Sequence, residues 1–406
     1  MLVPDKQRSF AVDVLRKLRK AGFNAYWAGG CVRDHLLGKI PKDFDVATSA
    51  TPEEIQRVFG RRRTLTIGAA FGVINVLGPE GAGQVEVTTF RLDADYRDGR
   101  HPDSITFSSP EEDASRRDFT INGMFYDPDD DNLIDFVGGR DDLQAGVIRA
   151  VGDPRERFAE DKLRMLRAVR FASAFDFVLE TRTLWAISEM AAEIAVVSPE
   201  RIAMEMRRML VEPGRNKAVY LLIQTKLAAA ILPELATATP IEPIREVLSR
   251  LREPDFPLAL AALLYRIVDP AGARQICSRW RLSNKEMDRV CWLVGNFAVL
   301  GDAQVMPWSM LQPILVADGI SDLMALREAA LPGCADVPHC RSLLEQPPEV
   351  LDPPPLLTGN DLCEYGVPSG PRYRHLLKRV RDAQLDQLIC TKDDALKLVD
   401  SLMLEQ

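Results

Sequence analysis

The sequence predicts an α+β fold, with a small mixed β-sheet in the first 150 residues and an all-helical part after it. Residues 8–20 carry apolar side chains at helical spacing, and Ala25–Ala28 has the composition of a short strand. Two runs of β-forming residues, 73–77 and 85–90, are separated by glycine and proline, which predicts adjacent strands. From about residue 158 the strand patterns disappear and amphipathic helices take over.

Composition restricts the class of protein. The 406 residues are 46% hydrophobic, enough for a core, yet no apolar run approaches the roughly 20 residues that a membrane-spanning helix needs. The N-terminus lacks the apolar segment of a signal peptide. Seven scattered cysteines form no CxxC pair, which indicates free thiols in a reducing compartment. We therefore expect a cytoplasmic protein without a membrane partner. Its net charge of −8 allows only local basic surfaces for nucleic acid.

A glycine pair near the start predicts a phosphate-binding turn. Gly29 and Gly30 open a predicted helix, and bare backbone N–H groups at a helix N-terminus suit phosphate oxygens. Arg33 lies on the same helix, where a guanidinium can form two hydrogen bonds to a phosphate. A dinucleotide fingerprint needs G-x-G-x-x-G, and these adjacent glycines do not provide it.

Three carboxylates predict a metal site. Asp43 and Asp45 are one residue apart on a predicted strand, so both side chains face the same side. Alternation along 85–90 sends Glu86 to the face opposite its apolar neighbours. Hard oxygen ligands suit Mg²⁺, and two such ions about 4 Å apart serve nucleotidyl transfer. Without the upstream glycine motif, the two aspartates would be interpreted as a solvated turn after Pro41.

Three further motifs follow along the chain. RRDFTINGM at 116–124 offers charge for phosphates and polar groups for a ribose, and DFVGGRDDL at 135–143 predicts a strand leaving the sheet through a glycine turn. Residues 158–171 predict one helix with a buried stripe, on which Asp161 and Arg164 are neighbours at i, i+3. Taken alone, that pair would be a surface ion pair of small energetic value.

The motifs GGCVRD with DFD, RRDFTING, DFVGGRDDL and EDKLRMLRAVRF, in this order, resemble those of the bacterial class II tRNA nucleotidyltransferases and their poly(A) polymerase relatives. The resemblance covers about residues 22–212, and the segment 357–384 resembles the family's tail less specifically. It implies a nucleotidyltransferase head at 1–150, then an extended all-α neck for base recognition at 151–212, a body with a degenerate HD-like region at 213–345, and a tRNA-binding tail at 346–406.

The resemblance also implies roles for individual residues. Asp43 and Asp45 would hold the catalytic Mg²⁺, with Glu86 as the third carboxylate. Asp161 and Arg164 would read the base, with Glu160 holding Arg164 in place. The residues implied to contact the nucleotide are Gly29, Gly30, Arg33, Arg117, Asp118, Asn122, Glu160, Asp161, Arg164 and Arg167.

The chemistry of the bases supports the reading role. Cytosine and adenine both present an exocyclic amine donor beside a ring-nitrogen acceptor. The carboxylate of Asp161 can accept from the amine while the guanidinium of Arg164 donates to the ring nitrogen. Uracil and guanine present the reverse pattern and would leave both protein groups unpaired. Such a pair can select C or A without a nucleic-acid template.

Four readings of the function remain at this point. Complete CCA addition to tRNA 3′ ends from CTP and ATP is favoured, because 90–102 matches the family's flexible loop, which is shortened in enzymes that add only CC. An A-adding enzyme stays open. A poly(A) polymerase is the next alternative, although the run 68–73 is more similar to the CCA-adding form. An inactive RNA-binding protein is disfavoured because Asp43, Asp45 and the reading pair are intact.

A second activity is not expected from the body. Relatives carry a His-Asp phosphohydrolase motif there, but Tyr265 and Arg266 occupy the ligand positions, so this helix is interpreted as core. The tRNA phosphates need positive charge along the helical part. The candidates for tRNA contact are Arg201, Arg207, Arg208, Lys378 and Arg379. The sequence leaves the oligomeric state open.

Overall fold

A computed structural model describes residues 4–66, 72–93 and 105–404 of the chain. The chain divides into two compact units, Met1–Thr237 and Ala238–Gln406. The four-part domain scheme drawn from the sequence stays a prediction.

The first unit contains both strands and helices. Its strands are β1 (Ala25–Ala28), β2 (Asp45–Thr48), β3 (Thr64–Leu65), β4 (Val73–Leu77), β5 (Gln84–Thr89), β6 (Arg91–Asp93), β7 (Ile105–Phe107), β8 (Met124–Asp127), β9 (Asn132–Asp135), β10 (Val147–Ile148) and β11 (Val178–Leu179). Its helices are α1 (Pro4–Lys20), α2 (Gly30–Leu36), α3 (Pro52–Phe59), α4 (Pro110–Ser115), α5 (Gly139–Ala145), α6 (Pro154–Glu160), α7 (Leu163–Ala174), α8 (Thr181–Met190), α9 (Pro199–Val211), α10 (Arg215–Gln224), α11 (Leu227–Ile231) and α12 (Pro233–Ala236).

The described part of the second unit is helical. Its helices are α13 (Glu242–Arg250), α14 (Phe256–Leu264), α15 (Pro270–Arg279), α16 (Asn284–Val299), α17 (Trp308–Leu315), α18 (Ile320–Ala330), α19 (Asp336–Leu344), α20 (Pro348–Leu351), α21 (Gly359–Glu364), α22 (Arg372–Leu385) and α23 (Lys392–Leu404). This distribution of strands and helices confirms the predicted α+β class.

The main sheet has seven strands in the order β3-β4-β5-β2-β1-β8-β9. β2 and β5 run parallel, and the other neighbouring pairs are antiparallel. The small mixed sheet predicted from the sequence is therefore confirmed, as is the pairing of β4 with β5. Trp27 and Phe125, on neighbouring strands, are among the largest side chains that are fully buried in this unit.

Helix α1 covers one face of the sheet because its apolar side chains recur at helical spacing. Val14, Leu15 and Leu18 are fully buried. Arg19 fixes the end of the helix: its Nη2 donates to the Ala25 carbonyl at 2.8 Å and to Asp127 Oδ2 at 2.6 Å. The opposite end of β1 leads directly into α2, where the predicted site lies.

The predicted helix over 158–171 is wrong at one point. Helix α6 ends at Glu160, Asp161 has extended backbone angles, and α7 begins at Leu163. The Asp161 Oδ1 accepts from the Leu163 N–H at 3.0 Å, so its side chain satisfies one of the free amides of the new helix. The buried stripe of α7 is as predicted, since Leu166 and Val169 are fully buried.

Two short parallel strands, β10 and β11, lie at the two ends of the segment that contains α6 and α7. β10 pairs with β11 through Val147 with Val178 and Ile148 with Leu179. The backbone N–H of Val178 donates to the Gly146 carbonyl at 2.8 Å, and that of Glu180 to the Ile148 carbonyl at 3.0 Å. β11 is an exception to the expected absence of strands after residue 158.

The second unit has a core of apolar helices. All nine residues of α14 are buried, which confirms that this helix is core. Ser309 on α17 donates from its backbone N–H and its hydroxyl to the Asp386 carboxylate at 2.8 and 2.7 Å. Among the described residues no single helix is long and apolar enough to cross a membrane; one bent pair, α17 with α18, passes that test by length and composition only.

Candidate active site

Two of the three predicted metal ligands are adjacent across the parallel strands. Asp45 is the first residue of β2 and stands in register with Glu86 on β5. The burial pattern of β5 places Glu86 on the exposed face, as predicted. Asp43 is not on the strand as expected, because ladder pairing begins only at Asp45; it lies in the bend before it.

Crowding of negative charge is visible in the pKa values. Burial, and after it the negative charge of Glu86, raises the pKa of Asp45 to about 7, while Arg117 opposes this. Partial withdrawal from water and the charge of Asp43 raise the pKa of Glu86 as well. Because Glu86 destabilises the ionised form of Asp45, and Asp43 that of Glu86, the cluster is suited to receive a cation.

The donor set fits a divalent metal ion in chemistry, since all three groups are carboxylates and hard oxygen ligands suit such ions. The family that the sequence resembles implies such an ion. In the described part of the chain no group of three or more His, Cys, Asp or Glu side chains is already arranged to hold a metal. Asp43 is exposed in the bend before β2, and its negative charge raises the pKa of both Asp45 and Glu86.

The glycine pair opens α2 as predicted. Gly29 has a φ of +72°, a backbone conformation that L side chains rarely adopt. A Cβ atom on Gly29 would lie 2.9 Å from Nη1 of Arg117, the end of a flexible side chain, so the positive φ is the stronger reason for glycine here. Arg33 points toward the same place, with its Nη1 donating to Asn122 Oδ1 at 2.7 Å.

Asp118 connects the head segment to α7. Its Oδ2 accepts from Nε and Nη2 of Arg167 at 2.8 and 2.6 Å, and its Oδ1 accepts from the Asn122 side-chain amide at 3.1 Å. Burial opposes ionisation, but Arg167 and the hydrogen bonds lower the pKa of Asp118 to about 2. Asp118 is therefore an ionised acceptor whose position is fixed from two elements.

The predicted base-reading pair already has partners in the chain. Arg164 is paired with Glu160, and its Nη1 also donates to the Arg157 carbonyl at 3.0 Å. Asp161 Oδ2 accepts from Nη2 of Arg201 at 2.7 Å. Arg201 was predicted only as a tRNA contact; in the structure it lies beside the carboxylate that was predicted to read the base.

One cavity of about 460 Å³ brings most of the predicted nucleotide-binding residues together. Its lining residues are Gly29, Gly30, Arg33, Asp45, Arg116, Arg117, Asp118, Asn122, Asp161, Arg164, Arg167 and Phe171. Glu160 is not among them. Glu86 lines a neighbouring cavity of about 250 Å³ together with Asp45, and Asp43 lines a third of about 410 Å³, also with Asp45.

Sequence reasoning did not select Arg116 and Phe171 as site residues. Arg116 stands in a motif that was recognised, and its position next to Arg117 was the available signal. Phe171 lies on the buried face of α7, where an aromatic residue is indistinguishable from core by pattern. Arg33 lies over its ring, with 5.3 Å from the guanidinium carbon to the ring centre.

The other predicted tRNA contacts differ in their surroundings. Arg208 is paired with Glu205 at 3.4 Å, and Arg207 is half-buried. Lys378 and Arg379 lie on α22 and are exposed. Most of the predicted flexible loop, residues 94–102, is outside the described residues.

Comparison with known proteins identifies relatives of this chain. The family description "Poly A polymerase head domain" matches residues 25–149, and "Probable RNA and SrmB- binding site of polymerase A" matches residues 176–239. A CCA-adding enzyme of Geobacillus kaustophilus is 36% identical over 383 residues, 91% of each chain. One from Lactobacillus gasseri is 34% identical over 404 residues, 95% of each chain.

Solved structures show the same fold. The crystal structure of the Bacillus stearothermophilus CCA-adding enzyme in complex with CTP is 30% identical, with a TM-score of 0.78 over 100% of this chain and 99% of that one. The Thermotoga maritima CCA-adding enzyme complexed with tRNA, at 22% identity and a TM-score of 0.66, covers 97% of this chain and 95% of its own and shares the fold.

The raised pKa of Asp45 predicts a pH-dependent gain in stability for Asp45→Asn. The folded chain binds this proton more tightly than the unfolded chain, so ionisation of Asp45 costs stability progressively between about pH 4 and pH 7. Without divalent cations, the variant should have a free energy of unfolding higher by about 1–4 kcal/mol at pH 8 and not at pH 4.

Urea unfolding in the presence of a chelator measures this difference. Asp13→Asn is the matched control, because Asp13 is an exposed carboxylate of the same unit. It should change stability little at either pH. An Asp45→Asn variant no more stable than the wild type at pH 8 would contradict the prediction.

Proposed function

This chain belongs to the family of CCA-adding enzymes, and from that premise we propose that it completes tRNA 3′ ends by adding C, C and A from CTP and ATP. The observation that carries the proposal is that one cavity is lined by Asp161 and Arg164 together with Asp45 and four further arginines. Solved structures of CCA-adding enzymes with the same fold contain CTP, ATP or tRNA, which supports the proposal.

The reaction joins the 3′-hydroxyl oxygen of the tRNA to the α-phosphorus of the nucleotide. The bond from that phosphorus to the bridging oxygen of the β-phosphate breaks, pyrophosphate leaves with the bonding electrons, and the hydroxyl proton passes to solvent or a nearby base. Asp43, Asp45 and Glu86 would hold two Mg²⁺ ions, which when bound would neutralise the phosphates and favour the ionised hydroxyl. Asp45 lines all three of the neighbouring cavities described above, which supports this role.

The other residues of the cavity bind and orient the nucleotide. Arg33 and Arg117, beside the glycine pair, supply donors for the triphosphate. Asp118 and Asn122 are fixed to each other and offer acceptors and a donor for the ribose. Arg167 holds Asp118 in its ionised form.

Base selection falls to Asp161 and Arg164. Asp161 would accept from the exocyclic amine of cytosine or adenine, and Arg164 would donate to the adjacent ring nitrogen. Glu160 keeps the guanidinium of Arg164 in one orientation, and Arg201 does the same for the carboxylate of Asp161. Both reading groups are thus oriented before a nucleotide enters, which reduces the entropy cost of selection.

The remaining assignments are part of the proposal. The tail residues Lys378 and Arg379 would contact the tRNA backbone, and the protein would act in the cytoplasm. Because the head of the chain matches the family description "Poly A polymerase head domain", the synthesis of poly(A) is the second candidate function.

The deciding experiment uses purified protein with Mg²⁺ and tRNA transcripts that end at the discriminator base, at C and at CC. Each is incubated with CTP, ATP or both, and products are resolved at single-nucleotide length. Growth by CCA that then stops is the expected result. One A added only to the CC-ended transcript would identify an A-adding enzyme, and long adenosine ladders on any RNA a poly(A) polymerase.

Arg164→Ala should change which nucleotide is incorporated rather than only the rate. Uracil and guanine are disfavoured because they would leave the Arg164 guanidinium unpaired. Removal of that guanidinium removes this free-energy cost. We expect preference for CTP over UTP to fall at least about tenfold, measured as a ratio of kcat/KM. Arg155→Ala on α6 is the control, since Arg155 is exposed and paired with Glu189. Unchanged selectivity in Arg164→Ala would contradict the reading role.

Neutralising Lys378 and Arg379 together should weaken tRNA binding and flatten its dependence on salt. Each lost phosphate contact reduces the slope of log Kd against log salt by about one unit. Binding is measured by filter retention between low and physiological salt. The double variant Arg252→Gln with Lys285→Gln removes two exposed charges from another part of the second unit and serves as the control. Equal slopes in the two variants would rule out the assignment.

A further inference from the structure

Asp113 is a charged residue beside the site that lines neither cavity of the nucleotide-binding region. It lies on α4, and its side chain is 1% exposed. Its Oδ1 accepts from Nε and Nη2 of Arg116 at 2.9 and 2.6 Å, and its Oδ2 accepts from Nε and Nη2 of Arg117 at 3.2 and 3.0 Å. One buried carboxylate therefore holds two guanidinium groups side by side.

Those two arginines supply the excess of positive charge at the site. The larger cavity is lined by five arginines and three aspartates, and Arg116 and Arg117 are two of the five. The cavity that contains Glu86 is lined by three arginines and two carboxylates, and the same two are present. Without them neither cavity would have more cations than anions on its wall, and a triphosphate needs such an excess.

Arg117 is fixed by contacts on several sides. Its Nη1 donates to the Asn122 carbonyl at 3.1 Å, and its guanidinium lies over the ring of Phe125, 5.2 Å from the ring centre. The absence of a side chain on Gly29 makes room for the same nitrogen. The orientation that Asp113 imposes therefore brings Arg117 against the start of the glycine turn.

The same segment also touches the base-reading side. The backbone carbonyl of Arg116 accepts from Nη2 of Arg164 at 3.4 Å. Helix α4 does not need Asp113 for its own N-terminus, because Ser109 and Glu112 form a complete capping box there. The hydrogen bonds of Asp113 are thus directed at the two arginines and at the Arg91 backbone N–H, 3.4 Å away.

We propose that Asp113 is a positioning residue for the nucleotide triphosphate, which orients Arg116 and Arg117 toward the phosphates without touching the nucleotide. This inference rests on the proposed function, since it names the residue that prepares the same site. A guanidinium already held by two hydrogen bonds loses less side-chain freedom when a phosphate binds. The side chains of Arg116 and Arg117 are 16% and 18% exposed, so they remain accessible to a ligand in the cavity.

The test compares Asp113→Asn with Glu111→Gln in the full-length protein. Glu111 is an exposed carboxylate of the same helix and loses the same charge. We expect Asp113→Asn to raise the KM for CTP and for ATP about tenfold or more, because a displaced charged group loses most of its contact with the phosphates. The KM for tRNA should not change, and Glu111→Gln should have the constants of the wild type.

A merely structural role would give a different pattern. It would lower the midpoint of thermal unfolding and the amount of active enzyme, and would leave the KM for nucleotides unchanged in the folded fraction. A cycle with the variant that carries both Arg116→Lys and Arg117→Lys separates the two further. If Asp113 acts through these two arginines, Asp113→Asn should add little to the KM of that variant; additive effects would overturn the proposal.

Arg116→Lys and Arg117→Lys keep the test decisive even where Asp113→Asn does not fold. Each variant keeps Asp113 and a positive charge at the arginine position, but it loses the planar guanidinium that forms two parallel hydrogen bonds. If neither raises the KM for CTP, the proposal is overturned. A wild-type protein that adds no nucleotide would refute the proposed function instead. Wild-type addition together with an unchanged KM in Asp113→Asn would refute only the positioning role.

Discussion

The site depends on the parallel pairing of β2 with β5. Strands that run in the same direction place residues in register on one face, and here that register puts Asp45 beside Glu86. Exposed and buried side chains alternate along the start of β5, so a slip of this strand by one residue would turn the buried Val85 and Val87 to solvent. The hydrophobic core therefore fixes the spacing of two charged groups that would otherwise repel each other.

Around these carboxylates the chain arranges its cations through acidic partners, of which Asp113 is buried and Glu160 is half-buried. Asp113 holds Arg117, Asp118 holds Arg167, and Glu160 holds Arg164. A buried ion pair adds little net stability in general, because desolvation offsets the attraction. Its value here is orientation: the guanidinium groups are directed by acids on one side and remain available on the cavity side. A nucleotide would meet donors that are already in place.

Local patterns in the sequence predicted many features of the fold and the site. They failed for contacts between residues that are far apart in the sequence. The glycine turn, the strand with Glu86 and the buried stripe of α7 are local features, and all three are confirmed. The break at Asp161 was missed because both flanking segments have helical periodicity. The pairing of Arg201 with Asp161 joins residues forty positions apart, and no local rule reports such a contact. Asp113 did carry a signal, since it precedes the two arginines at i, i+3 and i, i+4.

The short parallel ladder of β10 with β11 bears on how bases of different size would fit beside the segment between these strands. It closes residues 147–179 into a loop whose two ends are joined by backbone hydrogen bonds, with α6 and α7 between them. The segment that carries the proposed reading groups Asp161 and Arg164 is therefore held by backbone hydrogen bonds at both of its ends. A purine and a pyrimidine differ in width, so adenine and cytosine would have to be accommodated by the other walls of the cavity, since Glu160 and Arg201 hold the two proposed reading groups in place. The adenosine that ends the added sequence would then meet the same two oriented side chains as the cytidines before it.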